Sequence, residues 1–116
     1  MPKALLVEDE LLVREVAAED LGDAGFDVVA ASDGDEALGI LREKTDFDLL
    51  FTDIRMPGNI DGWDLAREAK QMIPELRVIY ATGFGDAGDD LATDERYVCK
   101  PYNLKDLQEA LTSLGF

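Results

Sequence analysis

The chain has 116 residues, 47% of them hydrophobic, with 26 acidic against 11 basic side chains and a net charge of −15 at pH 7. That size fits one domain over residues 1–116 with a buried core, and so diffuse a negative charge repels polyanions, which excludes nucleic acid as a ligand. No apolar run approaches the roughly 18 residues a membrane helix needs, no signal-peptide core follows Met1-Pro2-Lys3, and one cysteine allows no internal disulfide; a reducing cytoplasm, away from membranes, is the expected setting.

Lys3 to Val7 is a short apolar run and predicts a strand. Leu11, Leu12, Val13, Val16, Ala17 and Leu21 then recur at helical spacing until Gly22 and Gly25. Phe26 to Ala31 is a second strand, and Asp33 with Glu36 three residues on predicts the N-terminus of a helix carrying Ala37, Leu38, Ile40 and Leu41. Leu49 to Thr52 is the third strand. A loop from Asp53 to Asp61 leads to a helix with Trp63, Leu65, Ala66 and Ala69 that stops near Pro74. Leu76 to Ala81 is strand four. Between Thr82 and Lys100 the glycines and aspartates leave only Leu91 and Ala92 as apolar anchors, so any helix over 84–94 is expected to be short or irregular. Arg96 to Cys99 is strand five, and Asn103 caps a last helix through Leu104, Leu107, Ala110, Leu111 and Leu114. Strict alternation of strand and helix predicts a three-layer, doubly wound α/β sandwich on a parallel sheet.

In such a sheet all strand ends of one polarity share an edge. Glu8 and Asp9 follow the first strand, Asp53 the third and Lys100 the fifth, so three carboxylates and one cation are predicted to meet in one crevice. Each alone reads as an ordinary solvated residue or cap, but independent surface acids have no reason to select the same edge. Ionised carboxylates about 4 Å apart repel by about 4 kcal/mol at an effective dielectric near 20, so the group needs a cation or must take up protons. A hard divalent ion such as Mg²⁺ suits an all-oxygen site, whereas the lack of histidine and of a cysteine pair argues against zinc.

Val7-Glu8-Asp9-Glu10, Asp33-Gly34-x-Glu36-Ala37-Leu38, Asp53-x-x-Met56-Pro57 with Asp61-Gly62, Ala81-Thr82-Gly83 and Lys100-Pro101-Tyr102 together resemble the receiver domain of two-component response regulators, over nearly the full chain. One extra residue between Pro57 and Asp61-Gly62 is similar to the free-standing and hybrid-kinase receivers, and Tyr80-Ala81-Thr82-Gly83-Phe84 partly resembles a subgroup of single-domain receivers with an altered fourth helix.

The resemblance implies a flavodoxin-like sheet of order 2-1-3-4-5. It implies Mg²⁺ held by Asp9, Asp53 and the Arg55 backbone carbonyl, with Glu8 acting through water. Asp53 would be the phosphoacceptor, Lys100 and Thr82 the groups on the phosphoryl oxygens, and Thr82 with Tyr97 the switch pair. Pro101 resembles the family's cis-proline, and Arg55 with Phe84 would flank the path of attacking water. The implied partners are a sensor histidine kinase or histidine phosphotransfer protein, then a downstream protein target, with the chain a monomer. It would be no enzyme beyond its own phosphotransfer and dephosphorylation, and no output domain is expected within it.

Trp63 is expected to pack half-buried and Cys99 to be a small core residue. A phosphatase of the haloacid-dehalogenase type would need a second aspartate where Arg55 stands, and a flavodoxin would find Glu8-Asp9-Glu10 repelling its flavin phosphate. A pseudo-receiver that only binds protein is the remaining alternative.

Overall fold

The computed structural model describes residues 1–83 and 91–116. The strands are β1 (Lys3–Val7), β2 (Asp27–Ala31), β3 (Leu49–Asp53), β4 (Arg77–Thr82) and β5 (Glu95–Cys99); the helices are α1 (Leu11–Asp23), α2 (Gly34–Glu43), α3 (Gly62–Met72) and α4 (Leu104–Ser113). All strands pair in parallel, in the order β2-β1-β3-β4-β5.

Alternation along the strands separates two cores. Leu5, Val7, Leu50, Val78 and Tyr80 face α2 and α3, through Leu38, Leu41, Leu65 and Ala69. Ala4, Leu6, Phe51, Ile79 and Val98 face α1 and α4, through Ala17, Leu21, Leu107 and Leu111. The three layers and the strand order expected from the sequence are therefore present.

The helix caps follow the sequence signals. Asp33 accepts the Glu36 N–H at 2.8 Å, while the Glu36 carboxylate accepts the N–H of Ser32 at 2.8 Å. Asp61 accepts from Asp64 N–H, and Asn103 with Asp106 closes a full capping box before α4.

Three expectations change. Leu11, Leu12 and Val16 are 57%, 75% and 58% exposed, because α1 turns only Ala17 and Leu21 fully into the core. Cys99 is exposed and not a core residue, for it ends β5, an edge strand. The short or irregular helix expected over 84–94 falls largely on 84–90, outside the described residues; 91–94 are not helical, and Thr93 and Asp94 form a turn. Among the described residues, no helix is long and apolar enough to cross a membrane.

Candidate functional site

Register brings the chemistry to one edge. Val7 lies opposite Thr52, Asp53 opposite Ala81, and Thr82 opposite Cys99, so the residues after β1, at the end of β3 and after β5 converge. Carboxylate oxygens of Glu8, Asp9 and Asp53 lie within 4.8 Å of one another. Glu8 and Asp53 are each 3% exposed, whereas Asp9 stands open to solvent.

Lys100 answers the two buried acids. Its Nζ lies 3.0 Å from Glu8 Oε2 and 2.5 Å from Asp53 Oδ1. The contact with Glu8 is a hydrogen bond; the contact with Asp53 is a charge contact alone, for Oδ1 is buried and accepts no hydrogen bond. The Lys100–Pro101 peptide is cis, and Lys100 N–H donates to the Thr82 carbonyl at 2.7 Å.

The charges are unevenly held. Burial, then Glu8 beside it, push Asp53 up to about 8 against the opposing pull of Lys100. Burial also works against Glu8, but hydrogen bonds from Asp53, the Glu10 N–H and Lys100 outweigh it and hold Glu8 below the usual carboxylate value. Burial disfavours the Lys100 ammonium, yet Asp53 and Glu8 together keep its pKa above that of ordinary lysine. One cation thus serves two buried carboxylates, and Asp53 is the one left short.

That shortfall fits a metal. A buried carboxylate oxygen without a hydrogen bond, with two further carboxylates within reach, offers the hard oxygen donors that Mg²⁺ takes.

Thr82 closes the same edge, 1% exposed, but its hydroxyl donates to the carbonyl of Gly83 at 2.7 Å and not toward Asp53. Tyr97 packs in an aromatic cluster with Trp63 at 6.0 Å and Tyr80 at 5.8 Å. Trp63 is half-buried as expected. The Arg55 side chain is exposed at the rim, and Phe84 lies outside the described residues.

Sequence reasoning missed the roles of three contributors, although Gly62 stood in the Asp61-Gly62 motif. Arg14 donates to the Glu8 carbonyl at 2.9 Å, fixing the backbone that carries both acids; its only signal was a basic residue on the first helix turn of a very acidic chain. Gly62 lets α3 abut the end of β3, because a Cβ there would lie 2.1 Å from the Asp53 carbonyl oxygen. Finally, exposed Leu12 and Val16, with Val13, Pro101 and Tyr102, line an apolar groove that reaches Lys100.

Comparison with known proteins agrees with this geometry. The model of the response regulator receiver domain family matches residues 4–112. The response regulator receiver protein CpdR of Brucella abortus (strain 2308) is 36% identical over 111 residues, covering 92% of this chain and 91% of its own. The probable transcriptional regulator ycf27 of Cyanophora paradoxa is 33% identical, but the chain spans only 47% of it. Among solved structures, the receiver domain of the hybrid histidine kinase CckA is 36% identical with a TM-score of 0.81, covering 97% of this chain and 98% of that one. The response regulator TrrA of Thermotoga maritima, solved in complex with Mg²⁺-BeF, is 32% identical with a TM-score of 0.85, covering 98% and 99%.

Proposed function

Because the chain belongs to the response regulator receiver domain family, we propose that Asp53 accepts a phosphoryl group from a phosphohistidine of a sensor kinase or phosphotransfer protein. The observation that carries this reading is the buried Asp53 carboxylate at the end of β3, paired with Lys100 and with oxygens of Glu8 and Asp9 within 4.8 Å. A carboxylate nucleophile set beside a cation, with oxygen donors for a metal around it, is what phosphoryl transfer requires.

Asp53 attacks phosphorus as the nitrogen–phosphorus bond of the donor breaks; the oxygen–phosphorus bond that forms is an acyl phosphate, and the departing imidazole takes up a proton. Bound Mg²⁺ supplies positive charge that neutralises the phosphoryl oxygens. Asp9, Asp53 and the Arg55 carbonyl would hold it, with Glu8 acting through water. Lys100, poised between Glu8 and Asp53, moves its charge onto a phosphoryl oxygen as that oxygen's charge grows.

Thr82 and Tyr97 form the switch. The Thr82 hydroxyl exchanges its bond to the Gly83 carbonyl for one to the phosphoryl group, and Tyr97 leaves its present packing on Trp63 and Tyr80. The apolar groove of α1 receives the donor: it runs from Leu12 to Lys100, so a helix seated there brings its histidine to the acceptor edge. The signal then passes to a downstream protein.

The test is intact mass after incubation with acetyl phosphate. One phosphoryl adduct is expected on the wild type with Mg²⁺. None is expected with a chelator, and none on Asp53→Asn. An adduct on Asp53→Asn would overturn the assignment of the acceptor.

A further inference from the structure

The β3–α3 loop, residues 54–61, carries the Arg55 carbonyl and the extra residue noted in the sequence. Close approaches hold it along its length. At its base, Gly62 N–H donates to the Ile54 carbonyl at 2.7 Å. Beside Arg55, the Met56 Sδ lies 3.8 Å from the Thr52 hydroxyl, which donates to the Asp53 carbonyl at 2.9 Å. At the tip, Gly58 adopts φ 105°, and a Cβ added there would lie 3.2 Å from Asp35 Oδ2. Next to it, Ile60 lies on the first residue of α2: a Cβ on Gly34 would lie 2.4 Å from Ile60 Cγ1 and 2.8 Å from Cδ1.

Gly34 sits in the first turn of α2 with ordinary helical backbone, so its lack of a side chain is not required by a positive φ. Another explanation is needed for the one residue type that weakens a helix. Contact with Ile60 supplies it. Ile60 is β-branched and stiff at χ1, so Cγ1 cannot swing aside as the tip of a flexible chain would.

We infer that Ile60 seated on Gly34 is a latch that positions the β3–α3 loop, and through it the Arg55 backbone carbonyl, for the metal. The inference rests on the metal-site reading above. Ile60 and Gly34 are positioning residues; neither touches the ion.

The experiment is Mg²⁺ titration by calorimetry, without phosphodonor, on wild type, Gly34→Ala, Ile60→Ala and the double variant. Each single change is expected to weaken Mg²⁺ binding about tenfold, the scale typical of losing a ligand-orienting partner. In the double variant the new methyl at position 34 occupies space vacated by Ile60, so affinity recovers most of the loss. Leu114→Ala, which opens the core at the far end of α4, lowers the urea midpoint and leaves Mg²⁺ affinity unchanged.

Singles that bind like wild type, a double variant as weak as or weaker than the singles, or an equal loss in Leu114→Ala would each overturn the latch alone. Absence of Mg²⁺ binding to the wild type would overturn the metal site and the latch with it.

Discussion

Asp53 is held in tension: buried, next to Glu8, and served by a lysine that it shares. Its pKa stands at about 8 against an ordinary 3.8, so between those values the folded chain keeps a proton that the unfolded chain releases. Stability of the metal-free protein therefore falls as pH rises through that window. Asparagine at this position titrates nowhere. In chelator, Asp53→Asn is expected to be more stable than wild type at pH 9, with the gap closing below pH 4. Urea midpoints across that range measure it, and a gap that persists at low pH would mean that the acid's charge is not the cause. Mg²⁺ should narrow the gap at high pH by giving the carboxylate the partner it lacks.

The helices are placed by backbone contacts as much as by apolar faces. At Gly62 the first turn of α3 meets the last residue of β3 with no room for a methyl group: the Asp53 carbonyl oxygen at 2.1 Å and the Ile54 Cα at 2.8 Å are both backbone, which cannot rotate away. Gly62→Ala should cost about 3 kcal/mol, the upper end for overpacking. Chemical denaturation reads it directly, and a loss under ~1 kcal/mol would show that α3 can slide.

This junction also shows what a linear reading could reach. The helix after Asp61 was legible from its apolar spacing, as the caps Asp33 and Asn103 were, because capping chemistry is local. The need for glycine at position 62 was not, because it depends on how two elements approach. The same distinction separates Glu8, Asp9, Asp53 and Lys100, whose meeting follows from parallel strands sharing an edge, from Leu12 and Val16, whose apolar spacing looked like core. Helical period identifies an apolar stripe; it does not say whether the sheet is wide enough to cover it. Cys99 was misjudged for a related reason: a strand's place at the edge is set by pairing order, not by its own residues.

Charge acts over the entire protein. With 26 acids against 11 bases, the folded state works against its own repulsion. Raising NaCl from about 0.01 M to about 1 M shortens the screening length from about 30 Å to about 3 Å. The melting temperature should rise accordingly, in Asp53→Asn as in wild type, since the effect is spread over the surface. At matched ionic strength MgCl₂ should add a further increase in wild type that exceeds any in Asp53→Asn. An equal response of both proteins to MgCl₂ would reduce the ion's effect to screening. Asp20 gives the α1 groove a negative margin, so a donor helix of the kind proposed above would be apolar at its centre and basic where it meets Asp20.

Cys99 is the only thiol in the chain, stands exposed at the end of β5, pairs across the ladder with Thr82, and directly precedes Lys100. The protein thus carries a natural attachment point for a single dye, one residue from Lys100 and across the ladder from Thr82. A maleimide probe there needs no engineered cysteine and attaches with one stoichiometry. Its emission would report any change at this strand end on adding Mg²⁺ or acetyl phosphate, in the unaltered sequence.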